Sequence, residues 1–414
     1  MNALFQDPAP LDQQSIPKGY KFASGCCGIK KIGKADVALI TSDHAATAAA
    51  VFTINRVQAA PVLVSRQHIE TSRGLARAII ANSGNANCAT GAKGIAAARG
   101  TTAAVARELG CPQDQVLVCS TGVIGLPLET DKLIAAAPWL VSGQVSTANA
   151  YESVARAIMT TDARPKWSAA SFRVGGKEVR VLGCAKGAGM IHPQMATMLA
   201  FVVTDAALSR PVVARLLRDV AIRTFNSVTV DGDTSTNDTL ILLANGASGA
   251  QPIRSAGADL LRFTRALESV CRHLALAIVS DGEGARRVAE IEVRGVVSDS
   301  AAAAIARTIA CSPLVKTAIA GADPNWGRIL AAAGRAQLPK RVAFDPSRAE
   351  IRLAGMTVCR RGQAHPFDED AAHQKMLERH LPIVVDFKAG RGRATVWTCD
   401  FNEEYVRINS SYRS

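Results

Sequence analysis

The sequence has few aromatic side chains and no long apolar run, and these absences exclude several classes of protein. Only 5% of the 414 residues are Phe, Trp or Tyr, while 48% are hydrophobic and alanine is abundant, so helices are expected to pack closely through small side chains. No stretch of about 20 uninterrupted apolar residues occurs, which excludes an ordinary membrane-spanning helix. The first residues, MNALFQDPAP, lack the basic and apolar regions of a secretory signal. We therefore expect a globular protein of the cytoplasm that does not bind a membrane.

Cysteine and histidine spacings typical of metal or redox sites are also missing. The ten cysteines are scattered and include no Cys-x-x-Cys motif, which fits reduced thiols in a chain of this length. The seven histidines show no metal-ligand spacing, and no His-Glu-x-x-His motif is present. The sequence predicts neither a bound metal nor a disulfide framework.

The formal net charge is +13, and a basic chain raises the question of nucleic-acid binding. Lys and Arg are spread along the sequence, and the densest clusters, RRG at 360–362 and KAGRGR at 388–393, lack interleaved aromatics. No RNA-recognition, zinc-finger or basic-zipper pattern accompanies them. A solvated basic surface that favours carboxylate-bearing substrates is the better interpretation. The rival, a nucleic-acid-binding protein, would show salt-sensitive binding and an intact chain.

Apolar periodicity predicts strands and helices interspersed along the whole chain. The short runs ADVALIT, PVLVSR and ARAIIANSG predict strands, as do EIEVRGV, AEIRLAGMTVC, PIVVDF, ATVWTCDF and EYVRIN in the last third. Residues 95–109 and 148–159 are Ala-rich and helical in character, and three- and four-residue spacing from Leu260 to Leu274 predicts an amphipathic helix. The fold class is therefore α/β or α+β, with antiparallel sheets covered by helices.

Several familiar catalytic and binding motifs are incomplete. No Gly-x-Ser-x-Gly elbow is present, and GCAKGAG lacks the Gly-Lys-Ser/Thr of a phosphate loop. The segment DGDTSTNDTLIL begins like a calcium loop, but Thr236 replaces the glycine at position six and Leu242 the glutamate at position twelve. Its polar side chains are predicted to bond nearby backbone in a turn.

The segment KGAGMIHPQMATML, residues 186–199, places Thr197 between a Gly-rich loop and an apolar run. A threonine hydroxyl becomes a nucleophile if the chain is cut just before it, because the freed α-amine then acts as the base. Gly187, Gly189, Pro193 and Ala196 provide the mobile approach and the small preceding residue that such a cut needs. The alternative is a β-branched residue in its preferred place before a strand.

A nucleophile of this kind also needs donors for the oxyanion that forms on the attacked carbonyl. The segment CSTGVIG, residues 119–125, offers the Thr121 hydroxyl and the Gly122 backbone N–H. Each of these signals is weak when taken alone.

Long segments of the chain resemble the ornithine acetyltransferase family, the arginine-biosynthesis enzymes also called glutamate N-acetyltransferases. The resemblance lies in AKGAGMIHPQMATMLAF, GIKKIGKADVALI, AVFTINRVQAAPV, ANSGNANCATG, STGVIG, FNSVTVDGDTSTNDT, SDGEGA, GADPNWGRI, ATVWTCDF and YVRINSSYRS, which follow the family's order. It implies self-cleavage at Ala196–Thr197, giving an α chain of residues 1–196 and a β chain of 197–414. It also implies sheets sandwiched between helix layers in an N-terminal-nucleophile fold, and a heterotetramer of two α and two β chains.

The resemblance assigns roles to individual residues. Thr197 is implied to be the nucleophile, with Thr121 and Gly122 as oxyanion donors. The positions implied to hold substrate are Thr160, Lys186, Thr197, Glu283, Asn409 and Ser414. A lysine suits the α-carboxylate of acetylornithine, and a glutamate suits its δ-ammonium. Ser414 stands where some relatives have threonine.

The implied reaction is a ping-pong transfer of acetyl from N²-acetylornithine to glutamate, which needs no cofactor. Acetyl-CoA is left open as a further co-substrate, which would make the enzyme bifunctional. The rival within the same chemistry is an N-terminal-nucleophile aminopeptidase or amidase, which delivers the acyl group to water.

Overall fold

The computed structural model describes residues 5–30, 33–192, 198–339 and 345–411. Within these ranges no single helix is long and apolar enough to cross a membrane, and one pair of helices that reaches the length together is bent by 61°. All ten cysteines fall inside the described ranges and are free thiols.

The described residues form fifteen β-strands and eleven α-helices. The strands are β1 (Tyr20–Gly25), β2 (Val37–Phe52), β3 (Leu75–Asn85), β4 (Val116–Val123), β5 (Lys166–Val174), β6 (Lys177–Lys186), β7 (Leu199–Thr204), β8 (Val228–Thr229), β9 (Thr239–Ala244), β10 (Val288–Val296), β11 (Glu350–Leu353), β12 (Met356–Arg360), β13 (Gln363–Ala364), β14 (His380–Asp386) and β15 (Gly392–Cys399). The helices are α1 (Ala60–Thr71), α2 (Gly91–Leu109), α3 (Thr130–Ser142), α4 (Ala148–Ala157), α5 (Arg210–Arg223), α6 (Ala258–Ser280), α7 (Asp299–Ala310), α8 (Pro313–Ala320), α9 (Trp326–Gly334), α10 (Glu369–Met376) and α11 (Glu403–Ser411).

The strands assemble into two mixed sheets in which antiparallel pairs predominate. The first sheet has the order β4-β3-β2-β9-β7-β6-β5, with β1 also paired to β2. The second has the order β13-β12-β11-β14-β10-β15-β8. In the first sheet only β3–β4 and β7–β9 run parallel. In the second, only β10–β14 and β8–β15 do so.

Helices cover the sheets through small and aliphatic side chains. Helices α1, α2 and α3 share one apolar cluster with β2, β3 and β4, while α4 contributes to a cluster that involves the same three strands. Helix α6 packs on β5 and β6 and also contacts β8 and β15 of the second sheet. Helices α7 and α9 share a cluster with the second sheet. This layering confirms the predicted α/β class with helix-covered, largely antiparallel sheets.

Two predicted strands are helices. The run PVLVSR lies in α1, where Pro61 occupies the first turn and Val64 and His68, one turn apart, are both buried. The run EYVRIN lies in α11, where Glu403 and Glu404 occupy the first turn and no residue is buried. Acidic side chains stabilise a helix start, and a run of six residues is too short for apolar spacing to distinguish a strand from a helix.

Candidate active site

The predicted oxyanion donors lie at the end of a central strand. β4 runs parallel to β3, and near its end the buried Thr121 and the half-buried Gly122 pair with Asn85 and Gly84. Gly122 has φ +130°, and a Cβ there would lie 2.3 Å from the carbonyl carbon of Gly84. Only glycine fits this position, because a side chain would collide with the neighbouring backbone.

Lys186, the last residue of β6, is buried and bonded to Thr160. Its Nζ donates to the Thr160 hydroxyl at 3.0 Å, and its side chain is almost inaccessible to solvent. Burial lowers the pKa of the Lys186 ammonium, while the neighbouring Asp162 carboxylate acts in the opposite direction. Two of the predicted substrate-binding residues are therefore in direct contact.

Asp162 holds both partners of that contact in place. Its Oδ1 accepts the backbone N–H of Gly187 at 2.6 Å, and its Oδ2 accepts that of Thr160 at 3.0 Å. Burial alone would raise the pKa of Asp162, but the ammonium groups of Lys166 and Lys186 outweigh it and hold the pKa well below its usual range. The carboxylate is thus ionised and fixed between two lysines.

Glu283 and Asn409 also line the site and are in direct contact. The Asn409 Nδ2 donates to Glu283 Oε2 at 2.7 Å, and the Glu283 backbone N–H donates to the carbonyl of Ala188 at 2.9 Å. A Cβ on Gly189 would lie 2.4 Å from the Glu283 carboxylate, so this loop passes directly over the glutamate. Helix α11 and the Gly-rich loop converge on one buried carboxylate.

Asp231 binds the next two residues of the same Gly-rich loop. Its two oxygens accept the backbone N–H groups of Met190 at 2.5 Å and Ile191 at 2.9 Å, and Tyr405 donates its hydroxyl at 3.3 Å. Met190 has φ +55°, a conformation that costs energy for a side-chain-bearing residue, and these contacts hold it there. Burial raises the pKa of Asp231 to about 6.

These groups line one cleft of about 240 Å³. Its lining residues are Ala86, Thr121, Gly122, Ile124, Thr160, Thr161, Lys186, Gly189, Met190, Asp231, Asp233, Ser235, Thr236, Asn237, Glu283, Tyr405 and Asn409. Six predicted site residues, from five separate parts of the sequence, therefore face a common space. Their individual roles stay predictions.

Three predicted residues lie outside the described part of the chain. These are Ala196 and Thr197, at the proposed cleavage point, and Ser414 at the end. The described residues on either side of the cleavage point are His192 and Met198.

The cleft is lined by charged groups of both signs. Lys186 supplies the positive charge beside Thr160, whereas Asp231, Asp233 and Glu283 supply negative charge beside Tyr405. A ligand with a carboxylate and an ammonium group separated by a short aliphatic chain matches this arrangement. Among the described residues no group of three or more His, Cys, Asp or Glu side chains is placed to hold a metal ion.

Sequence reasoning missed the contribution of the segment DGDTSTND. It does contain the predicted polar turn, since Asp231 accepts from the Asp233 N–H and Ser235 from the Asn237 N–H. The same segment also supplies five residues of the cleft wall. Tyr405 was missed as well, because EYVRIN was assigned to a strand. In the sequence, only the density of Asp, Thr and Asn in DGDTSTND indicates that this segment lines a site. A surface turn has the same composition.

Comparison with known proteins identifies the family. The profile of the ArgJ family matches residues 21–414. The chain belongs to the ArgJ family. This confirms the family that the sequence segments predicted.

Among the relatives, the arginine biosynthesis bifunctional protein ArgJ of Thermosynechococcus vestitus is 47% identical over 410 residues, covering 95% of this chain and 96% of the relative. The protein of the same name from Brucella suis is 44% identical over 421 residues and covers 100% of both chains. Among solved structures, the Bacillus halodurans ArgJ chain is 36% identical with a TM-score of 0.49, covering 51% of this chain and 98% of that one. The ornithine acetyltransferase of Mycobacterium tuberculosis, solved with ornithine, is 35% identical with a TM-score of 0.38, covering 46% and 98%.

Proposed function

We propose that this ArgJ-family enzyme of arginine biosynthesis transfers the acetyl group of N²-acetylornithine to glutamate, yielding ornithine and N-acetylglutamate. The enzyme class and the pathway follow from family membership, as the sequence predicted. The observation that supports the substrate most directly is a cleft lined both by Lys186 and by the carboxyl groups of Glu283, Asp231 and Asp233. Its charges complement the carboxylate and the ammonium of an ornithine skeleton.

In the proposed reaction, the Thr197 hydroxyl attacks the acetyl carbonyl and its proton passes to the α-amine freed by cleavage. The Thr121 hydroxyl and the Gly122 N–H stabilise the oxyanion, after which the ornithine amine takes a proton and leaves. The amine of glutamate then attacks the acetyl ester, and the Thr197 hydroxyl is regenerated. The acyl group moves between two amines, so the sequence of steps needs no cofactor.

The cleavage of the chain, its assembly, its location and the remaining substrate contacts are part of the same proposal. We infer cleavage at Ala196–Thr197 into chains of residues 1–196 and 197–414, assembly of two copies of each, and a cytoplasmic location. Thr160, Asn409 and Ser414 would add neutral hydrogen bonds to the substrate. Whether acetyl-CoA is a second donor is decided by assaying glutamate acetylation with acetyl-CoA as the sole acetyl source.

The aminopeptidase or amidase alternative is less supported, and the acceptor distinguishes the two. Ornithine release from N²-acetylornithine is measured with and without glutamate, together with the formation of N-acetylglutamate. A transferase releases ornithine in step with N-acetylglutamate, whereas a hydrolase releases it at the same rate without glutamate. The latter result would refute the transfer.

Variants at position 197 test the nucleophile in the same assay. Thr197→Ser keeps a hydroxyl and, after cleavage, an α-amine, so it should retain part of both maturation and transfer. Thr197→Ala lacks the nucleophile and should remain a single inactive chain. An active Thr197→Ala enzyme would remove this residue from the mechanism.

A further inference from the structure

Asp238 is a fully buried carboxyl group bonded to the residue that follows Thr197. Its side chain has no exposed surface, and its Oδ1 accepts the backbone N–H of Met198 at 2.9 Å. The next residue, Thr239, donates its backbone N–H to the Met198 carbonyl at 3.1 Å. Both backbone polar groups of Met198 are therefore held by consecutive residues at the start of β9.

The burial of Asp238 makes this contact unusual. Burial raises the pKa of Asp238 well above its ordinary value, while the Lys186 ammonium acts in the opposite direction. Its second oxygen, Oδ2, is inaccessible to solvent and has no hydrogen-bond partner among the described residues. Burying a carboxyl group costs free energy that its hydrogen bonds must offset, and selection for packing alone would favour an apolar side chain here.

The same segment also holds the chain on the other side of the cleavage point. Asp231 accepts the N–H groups of Met190 and Ile191, and the Val230 N–H donates to the Ile191 carbonyl at 2.7 Å. Residues 230–239 thus bind the backbone both before and after the segment 192–197. Met198 is the nearer of the two attachments to Thr197, since the two residues share a peptide bond.

We propose that Asp238 is a positioning residue that fixes the peptide group between Thr197 and Met198, so that the Thr197 hydroxyl is held for cleavage and then for acetyl transfer. This inference rests on the proposed role of Thr197. A nucleophile works only within a narrow range of positions, and a displacement of about 1 Å can slow a reaction on the order of 100-fold. Asp238 acts through the Met198 N–H, by accepting a hydrogen bond.

The test compares two substitutions of Asp238 with the same two at a matched buried aspartate. Asp238→Asn keeps a carbonyl oxygen for the Met198 N–H, whereas Asp238→Ala removes the acceptor. Asp205 is the control, because it is also fully buried and accepts the backbone N–H groups of Lys18 and Arg180, away from the cleft. Full-length chains are synthesised, and the appearance of the 197–414 fragment is followed over time on denaturing gels with N-terminal sequencing. The Tm of each variant is also measured.

We expect Asp238→Asn to cleave within about threefold of the wild-type rate, with an unchanged pH profile of cleavage. Asp238→Ala should cleave on the order of 100-fold more slowly. Asp205→Ala should lower the Tm by a similar amount yet cleave at the wild-type rate. If Asp238→Ala is insoluble, Asp238→Ser replaces it, since the shorter side chain does not reach the Met198 nitrogen.

The outcomes separate this inference from the proposed function. A folded Asp238→Ala or Asp238→Ser chain that cleaves at the wild-type rate refutes the positioning role while cleavage before Thr197 still stands. A folded but uncleaved Asp238→Asn chain also refutes the positioning role. Cleavage would then require the acidic proton of Asp238, and not only an oxygen that accepts the Met198 N–H. A wild-type chain that never cleaves before Thr197 refutes the proposed maturation itself.

Discussion

At the scale of single residues, the cleft depends on positions where a single side-chain atom or group determines the local structure. Gly122 has no room for a Cβ beside Gly84, so its N–H stays free of a covering side chain. Lys186 is buried yet keeps its ammonium next to Asp162 and the Thr160 hydroxyl. The neighbouring carboxylate offsets part of the cost of burying that charge. The lysine also lines the cleft, where an anionic ligand can reach it.

The first prediction concerns Lys186→Met, which keeps the length of the side chain and removes its charge. We expect the variant to mature normally and the KM for N²-acetylornithine to rise by roughly 10- to 150-fold, the effect of losing a charge-assisted contact of about 1.5–3 kcal/mol. Lys177→Met, at the exposed start of the same strand, is the control and should behave as wild type. Unchanged kinetics in a cleaved Lys186→Met enzyme would show that another residue holds the carboxylate.

The second prediction follows from the raised pKa of Asp231, about 6. Above pH 6 the group is a carboxylate that attracts an ammonium group, and as the pH falls through 6 it becomes neutral and this attraction is lost. The dissociation constant of ornithine should therefore rise by about 3- to 10-fold between pH 7 and pH 5, as measured by calorimetry. Asp231→Asn should bind weakly at both values without that step, while Asp233→Asn, exposed at the rim, should keep it. A constant affinity in the wild-type protein would contradict the assignment.

At the scale of elements, helix α11 contributes two side chains to the site although it lies on the surface. None of its residues is buried, yet Tyr405 reaches Asp231 and Asn409 reaches Glu283. Asn402 begins the helix by accepting the N–H of Glu404 at 3.0 Å. A helix of this kind is specified by its contacts to the cleft rather than by an apolar face.

The third prediction is that deleting residues 403–414 affects the site more than the fold. The Tm should stay within about 4 °C of wild type, because little apolar surface is lost. The KM for N²-acetylornithine should rise at least about tenfold, since two side chains of the cleft wall are removed. Val406→Ala, on the exposed side of the helix, is the control and should leave both quantities unchanged. A large loss of Tm without a change in KM would mean that the helix serves stability only.

At the scale of the whole molecule, the two halves separated by the proposed cleavage point share one sheet. Strand β9 pairs with β2 over residues Thr47–Phe52, and β7 pairs with β6 over Val181–Lys186. Both β7 and β9 come from the second half, whereas β2 and β6 come from the first. Two complete interfaces of backbone hydrogen bonds therefore join the halves at the centre of the sheet.

The fourth prediction is that cleavage leaves the molecule assembled. Residues 1–196 and 197–414 should appear as two bands on a denaturing gel, with threonine at the second N-terminus. Under native conditions they should elute together and should separate only in denaturant, because separation breaks the buried β2–β9 and β6–β7 pairs. Fragments that dissociate without denaturant would contradict this sheet order, and active enzyme sequenced only from Met1 or Asn2 would refute the cleavage.

Local patterns in the sequence were sufficient for much of the fold. Short apolar runs identified β2, β3, β10, β14 and β15, and three- and four-residue spacing identified α6, because burial of an element leaves apolar residues close together along the sequence. The assignments failed at α1 and α11, where short apolar runs satisfy either geometry. The Gly-rich segment before Thr197 and the segments that resemble the family could also be recognised, because each is a continuous stretch of sequence.

The family resemblance assigned several distant residues to one site, but only the tertiary structure shows how they meet. Thr121, Lys186 and Glu283 come from different elements, and nothing in their local spacing shows that they meet. Asp231 and Asp238 lie in a segment with the composition of a surface turn. Their roles appear only in the folded chain, where Asp231 is partly buried and Asp238 is fully buried. Burial then shifts their pKa values and makes each hydrogen bond consequential, which is a property of the packed chain and not of its local sequence.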